Sequence, residues 1–394
     1  MAILGPRGRA YPRVNPSRSG AVGSPRDAEV FAVGEDHAVI TFVDDGETEV
    51  TTQFGEACAR TIGPHHVACF SGLTPGGEYA VTVEGHAGEE PHLPDRVQTL
   101  ERPSGALLAT IATVNDVHFG EDVCGVIYGT PEHELGPWVR SLPGEDPYPL
   151  TMNRGAVVEM AALGPDAVVV KGDLTCRGTE AEYQEFLDTY SGFGDRLHHV
   201  RGNHDAMIDP TMALQGAPYA VNVNGVTLAV LDTVQPGLPG GTLSAAAAGW
   251  LDETAGATSG PVLVFGHHNI WDLNAAERSR NYFGIDPDGS ERLAGVVARR
   301  ENIVGYFAGH THRHRIRRFE QARTVPFVEV GCVKDYPGVW AEYRVYEGGY
   351  TQVVHRISSP AALTWTERTR NLYAGIYRDY ALGTLDHRCF GDTF

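Results

Sequence analysis

Five apolar, β-branched runs in this chain each end on side chains of the kind that hold metal ions. "ATV" leads into "NDVH", with Asp116 and His118, "VVV" into "KGDL", with Asp173, and "HHV" into "RGNHD", with Asn203 and His204. Farther on, "VLVF" leads into "GHHN", with His267 and His268, and "YFA" into "GHTHRH", with His310, His312 and His314. Each cluster alone has an ordinary structural explanation. An Asp after glycine is a turn or helix-cap residue, a single His is a hydrogen-bonded core or surface residue, and an HxH pair is two neighbours on one strand face. Five such clusters, four of them introduced by glycine, are not ordinary. Glycine lets the backbone turn sharply and approach a ligand closely, and ligands of α/β sheets gather beyond the carboxyl ends of the strands.

The runs alternate with helical segments. "LLATIATV", "DAVVVK", "LHHV", "TLAVLD", "PVLVF" and "IVGYFA" read as buried strands, and "NRGAVVEMAAL", "TEAEYQEFLDTY", "LSAAAAGWLDETA" and "SERLAGVVARR" have helical spacing. Thr179 or Glu180 opens the second helix, and Ser244 and Ser290 are the expected caps of the later two. This alternation predicts an α/β domain with helices over a largely parallel sheet. The stretch 119–151, rich in Pro and Gly, reads as a long loop and a candidate substrate-side element.

Upstream, "HAVITFV", "TEVTTQF", "HHVACFSGL" and "EYAVTVEG" alternate at period two between turn-forming clusters, the pattern of a small β-sandwich. The expected organisation is an arm over 1–27, a β-sandwich over 28–102, an α/β domain over 103–358 and a tail over 359–394. The arm is either flexible or draped over a neighbouring domain, and its arginines suit an acidic surface. The tyrosine-rich tail either crosses to a partner subunit, as a homo-oligomer would use it, or packs on the β-module.

Composition sets outer limits. A chain of 394 residues is comfortable for two domains. A net charge of −19 argues against a nucleic-acid polymer or an anionic membrane as partner. No apolar run reaches membrane-span length, and the first residues lack the hydrophobic core of a secretory signal, so a cytoplasmic location is expected. The six cysteines form no CxxC pair. A Cys58–Cys69 bridge is one option, and buried free thiols are preferred.

The ordered series DxH…GD…GNHD…GHH…GHTH resembles the calcineurin-like metallophosphoesterase superfamily from about Leu107 to Tyr346. "GDLTCRG" and "GNHD" are most similar to its bacterial phosphodiesterases of cyclic nucleotides and glycerophosphodiesters. "GLTPGGEYAVTVEG" resembles fibronectin type III modules. These resemblances imply a double β-sheet sandwich flanked by helices, preceded by a small all-β, immunoglobulin- or fibronectin III-like sandwich. They imply two metal ions bridged by Asp173, with Asp116, His118 and His312 completing one site and Asn203, His267 and His310 the other. His204 follows a ligand without being one, and the resemblance implies that it assists the leaving alkoxide.

The residue types suit that chemistry. Two cations about 3.5–4 Å apart need a shared carboxylate and a bridging hydroxide to damp their repulsion. Imidazole, carboxylate and amide oxygen suit Mn, Fe, Co or Zn. Bound metal lowers the pKa of water from about 15.7 toward neutrality, providing a nucleophile for phosphorus. Two departures from the resemblance stand out. Cys176 replaces a carboxylate that orients the acid histidine in many relatives, leaving Asp205 or a backbone carbonyl as substitutes. "GHHN" lacks the proline that relatives have after the paired histidines, which bears on a substrate rim near His268 and Asn269. Arg177 is either a phosphate-binding arginine or a surface charge beside a helix. His118 and Cys176 together exclude the purple acid phosphatases, and the late HxH excludes the amidohydrolases. The expected function is hydrolysis of a small phosphodiester. Phosphomonoester or nucleotide hydrolysis on the same metals is the alternative, and a non-catalytic interaction protein is the least favoured reading.

Overall fold

The computed structural model describes residues 24–46, 49–126, 135–214, 216–279 and 282–394. The expected arm up to residue 23, and residues 127–134 of the long loop, lie outside the described residues. Alternation at period two produces the first sheets. β1 (Arg26–Val33), β2 (His37–Val43) and β5 (His65–Ser71) form a three-stranded antiparallel sheet. It faces a four-stranded sheet in the order β4 (Ala57–Ile62), β3 (Glu49–Phe54), β6 (Glu78–Val83), β7 (Arg96–Gln98). The inward residues, among them Ile40, Phe42, Phe54, Phe70 and Val81, form one core. β4 escaped the sequence reading because "ACARTI" is almost wholly solvent-facing. β1 escaped it for the opposite reason. Both its faces are covered, Val30 and Val33 by the sandwich core and Phe31 and Ala32 by the core of the following domain, so no alternation survives.

The following domain is a pair of six-stranded sheets. One runs β10 (Leu197–Val200), β9 (Ala167–Lys171), β8 (Leu107–Val114), β17 (Val339–Tyr346), β18 (Gly349–Arg356), β19 (Phe390–Thr393). The other runs β11 (Tyr219–Val223), β12 (Val226–Val230), β13 (Val262–Phe265), β14 (Ile303–Ala308), β16 (Pro326–Glu329), β15 (Arg315–Arg318). β8, β9 and β10 are parallel, as are β12, β13, β14 and β16, whereas β11, β15 and β17 to β19 join antiparallel. The sheets are therefore mixed rather than largely parallel. Ile111, Tyr343 and Val354 of one sheet share a core with Leu228, Phe265 and Phe307 of the other. β9, β12, β13 and β14 are buried along their whole length, which explains their continuous apolar sequences.

Helices cover the outer faces: α1 (Tyr148–Leu163), α2 (Glu180–Tyr190), α3 (Ala245–Gly256), α4 (Pro287–Arg299) and α5 (Pro360–Thr369). Thr179 caps α2 in a reciprocal box with Glu182, and Ser244 caps α3. Ser290 does not cap α4. Pro287 starts that helix earlier, Asp286 accepts from Gly289 N at 2.6 Å, and Ser290 is buried in the first turn, donating to the Ile285 carbonyl. No helix among the described residues is long and apolar enough to cross a membrane. All six cysteines are free, with Cys58 and Cys69 exposed rather than buried or bridged.

The C-terminal segment folds back as α6 (Ile376–Leu382) and α7 (Leu385–Arg388) before β19 extends the first sheet. It packs on the β-module: Arg388 donates to the carbonyls of Phe31 and Val30 at 3.0 and 2.9 Å, and Arg378 pairs with Asp27 at 2.6 Å. At the same seam Glu29, fully buried, accepts from Arg356 at 3.2 Å, Tyr336 at 3.2 Å and Thr41 at 3.0 Å, with Arg370 at 3.5 Å. Glu29→Ala leaves the buried guanidinium groups of Arg356 and Arg370 with Glu367 as their one shared carboxylate, so one positive charge goes unbalanced. It is expected to cost about 3–5 kcal/mol of stability, read as a lowered urea midpoint. Burial works against ionisation of Glu29, but Arg370 and Arg356 outweigh it and hold its pKa below the ordinary 4.5. Its contribution is therefore present above that value and lost as pH falls through the lower folded-state value.

Candidate metal centre

The five clusters leave the carboxyl ends of β8, β9 and β10 in one sheet and of β13 and β14 in the other, so the site spans both sheets. The backbone there is strained. Among the described non-glycine residues, Asp116, His118, Asp173, His310 and His312 all have left-handed φ, between 48° and 69°. Such conformations cost about 1–3 kcal/mol each and persist where the surroundings over-determine them. Backbone bonds do so here: Asp116 N donates to Gly172 O at 3.0 Å, His118 N to Asp173 O at 2.9 Å, and His310 N to the Asp116 carboxylate at 2.9 Å. Gly202 is required by proximity. A Cβ at that position would lie 2.1 Å from Asp173 Oδ1.

Asp173 sits between two sets of side chains. Its Oδ2 lies 3.5 Å from His118 Nε2 and 3.3 Å from His267 Nε2, and its Oδ1 accepts from His204 N at 2.9 Å. On one side His312 Nε2 is 3.5 Å from Asp116 Oδ1. On the other, His267 Nε2 is 3.2 Å from Asn203 Oδ1 and 3.1 Å from His310 Nδ1. Asp116, His118 and His312 present ligand atoms within 4.8 Å of one another, and so do Asp116, Asp173 and His267.

The tautomers show what this arrangement is fit for. In the neutral ring His267 Nδ1–H donates to the Lys171 carbonyl at 2.9 Å, and His310 Nε2–H to the Phe283 carbonyl at 2.7 Å. That leaves lone pairs on His267 Nε2, facing Asn203 Oδ1 at 3.2 Å and Asp173 Oδ2 at 3.3 Å, and on His310 Nδ1, facing His267 Nε2 at 3.1 Å. Both ring nitrogens of His118 are buried without a hydrogen bond. In that tautomer His267 Nε2, His310 Nδ1, Asn203 Oδ1 and Asp173 Oδ2 converge without a hydrogen between them, and they repel one another unless a cation or a proton lies between them. The donor set fits two borderline divalent ions.

The charge of Asp173 also draws protons to the imidazoles beside it. Burial alone would raise the Asp173 pKa, but His267 and His204 hold it well below the usual carboxylate range. Burial would lower both partners, yet the Asp173 charge pushes His267 up to about 9 and His204 up to about 10. Burial keeps His118, His310 and His268 well below the ordinary imidazole value.

His204 is oriented without a carboxylate. Its Nδ1 pairs at 2.9 Å with the main-chain carbonyl of Cys176, the second of the two substitutes expected. Asp205 is occupied otherwise: it accepts from Gly202 N, Leu174 N and both the amide and hydroxyl of Thr175, at 2.6 to 3.1 Å. Arg177 is tied to Glu182 at 3.0 Å and to the Gly120 carbonyl at the start of α2. His268 is fully buried, its Nδ1 paired with Thr233 Oγ1 at 2.8 Å. His314 is buried too, accepting from Gly331 N.

A cavity of about 650 Å³ opens beside the His310 side, lined by Leu238, Asn269, Phe283, Thr311, Arg313 and Tyr380 among others. Phe283 stacks on the His310 ring at 4.0 Å. A larger cavity of about 860 Å³, between α1 and α5, contains none of these site residues.

Sequence reasoning missed Glu121, Lys334 and Asp335, which stand behind His118 and His312. A signal existed. "FVEVGCVKD" is a sixth apolar run with a glycine and polar side chains at its end, and β16 is parallel to β14.

The family described as calcineurin-like phosphoesterase matches residues 109–314, just over half of the chain. A probable cyclic nucleotide phosphodiesterase of Synechococcus sp. is 27% identical over 170 residues, 42% of this chain and 65% of that protein. A glycerophosphodiester phosphodiesterase of Enterobacter lignolyticus is 28% identical over 173 residues, 40% of this chain and 60% of that protein. A cAMP/cGMP dual specificity phosphodiesterase of Mycobacterium tuberculosis is 27% identical over 171 residues, 39% of this chain and 51% of that protein. The chain thus spans less than two thirds of the length of each.

Gly202→Ala tests the crowding around Asp173. Its added methyl group is expected to displace the carboxylate and abolish uptake of a metal pair, measured as metal content after dialysis, with far-UV circular dichroism unchanged.

Proposed function

The chain belongs to the calcineurin-like phosphoesterase family, and on that premise we propose that it is a dinuclear metal-dependent phosphodiesterase of small substrates, of cyclic-nucleotide or glycerophosphodiester type. One observation carries this reading: ligand-type side chains from both sheets converge around Asp173, with the His204 main-chain N–H bonded to the same carboxylate. The curated relatives with which the chain shares 27–28% identity are described as phosphodiesterases of those two substrate types, which favours diesters over monoesters.

In this reading Asp116, His118 and His312 hold one ion, Asn203, His267 and His310 hold the other, and Asp173 is shared. A bound pair supplies an acidified water and positive charge for the phosphoryl oxygens. The protein's own task is to hold those ligands fixed before substrate arrives. The left-handed backbone of five of them and the carbonyl contacts behind His267 and His310 accomplish this. His204 is the proton donor. The Cys176 carbonyl fixes its Nδ1, and Nε2 has no protein hydrogen-bond partner among the described residues, which leaves it for the departing oxygen. The cavity beside Phe283 and Thr311 receives the rest of the ester.

The protein with added Mn is expected to hydrolyse bis(p-nitrophenyl) phosphate faster than the corresponding monoester. No turnover with any divalent ion, or a preference for the monoester, refutes the proposal. Asp173→Ala should abolish the metal-dependent rate. His204→Ala should lower kcat by roughly 10²–10⁴-fold for an alkyl or ribosyl leaving group. It should cost far less for p-nitrophenolate, which leaves without a proton; equal losses on both substrates contradict the acid role.

A further inference from the structure

We propose that Glu121, Lys334 and Asp335 form a buried carboxylate–ammonium–carboxylate clasp that positions His118 and His312 as ligands, with Lys334 as the positioning residue. The inference rests on the metal-centre reading above. It concerns residues that no ligand motif contains.

Each imidazole presents Nε2 toward an aspartate of the centre, at 3.5 Å from Asp173 for His118 and 3.5 Å from Asp116 for His312. Each presents Nδ1 to a different carboxylate behind it, in charge contact without a formed hydrogen bond: Glu121 Oε2 at 3.3 Å from His118, and Asp335 Oδ2 at 3.8 Å from His312. Lys334 Nζ lies between those carboxylates, at 2.7 Å from Glu121 and 3.5 Å from Asp335. Lys334 and Asp335 are 5% and 3% exposed and the Glu121 side chain 13%, so water screens the charges only weakly.

Asp335 is fixed from behind as well. Its Oδ1 accepts from Tyr377 at 2.5 Å and from Cys332 Sγ at 2.9 Å, and Cys124 Sγ lies 3.5 Å from Oδ2. The loop between β16 and β17 that carries Lys334 is pinned in turn. Trp365 of α5 donates to the Lys334 carbonyl at 2.7 Å, and Val333 N donates to Asn115 O at 3.2 Å, next to Asp116. A carboxylate behind a metal-bound imidazole fixes its tautomer and orientation and strengthens it as a donor. Two such carboxylates buried together repel each other, and one lysine shared between them allows both to remain in place. Without that lysine at least one carboxylate turns away and its imidazole is no longer aimed.

The other half of the centre lacks this arrangement. Main-chain carbonyls of Lys171 and Phe283 stand behind His267 and His310. Loss of the clasp is therefore expected to release one ion and spare its neighbour.

Lys334→Met tests this, with Glu121→Gln as a second variant that keeps side-chain volume. After loading with Co(II) and dialysis against a weak chelator, wild type is expected to retain about two ions per chain and Lys334→Met about one. Calorimetric titration should show one of two affinities weakened about 10–100-fold, with a smaller loss in the same site for Glu121→Gln. Thermal unfolding of the metal-free proteins separates a purely structural role, which would lower stability and leave both affinities unchanged. A folded Lys334→Met or Glu121→Gln protein that binds both ions with wild-type affinity overturns the clasp alone. A wild-type protein that cannot bind two ions overturns the dinuclear reading on which it rests.

Discussion

Everything in this structure answers to one electrostatic difficulty. Asp173, Asp116, Asn203 and the imidazoles of His118, His267, His310 and His312 crowd ligand-type atoms within 3.1 to 3.5 Å of one another inside the protein. In water such groups would separate. Here five left-handed residues and a set of backbone bonds prevent it. The arrangement is unfavourable for an isolated chain and favourable for a chain that receives cations, a common trade at sites where strain serves a task.

Restraint of that kind has to be transmitted from rigid neighbours, and the elements outside the two central sheets supply it. The C-terminal segment reaches the centre twice: through Tyr377 on Asp335, and through Tyr380, which donates to the Thr311 carbonyl between His310 and His312 at 2.9 Å. That segment is itself anchored on the β-module by Arg378 and Arg388. The module thus bears on the chemistry at second hand, by bracing the segment that braces the ligand loops. Glu29 is the keystone of that seam, because together with Glu367 it balances the charges of Arg356 and Arg370 away from solvent.

The sequence made the candidate ligand side chains legible because they follow a local rule. A buried strand, a glycine and a polar side chain are adjacent in the chain, and β8, β9, β10, β13 and β14 obey it with Asp116, Asp173, Asn203, His267 and His310 at or near their ends. What lies behind the ligands was less legible, because it is set by contacts distant in sequence. Lys334 meets Glu121 across more than two hundred residues, and the partner of His204 is a main-chain carbonyl that no side-chain identity announces. β1 was hidden by burial on both faces and β4 by exposure on both. Ser290 misled because a serine four residues past the true cap has the same local look as the cap itself; Asp286 followed by Pro287 decided the start.

Anomalous diffraction from crystals grown with manganese would locate the ions outright. Two peaks are expected on opposite sides of the Asp173 carboxylate, one against Asp116, His118 and His312 and the other against Asn203, His267 and His310. Peaks elsewhere, or no ordered ion within coordination distance of Asp173, would contradict the dinuclear reading.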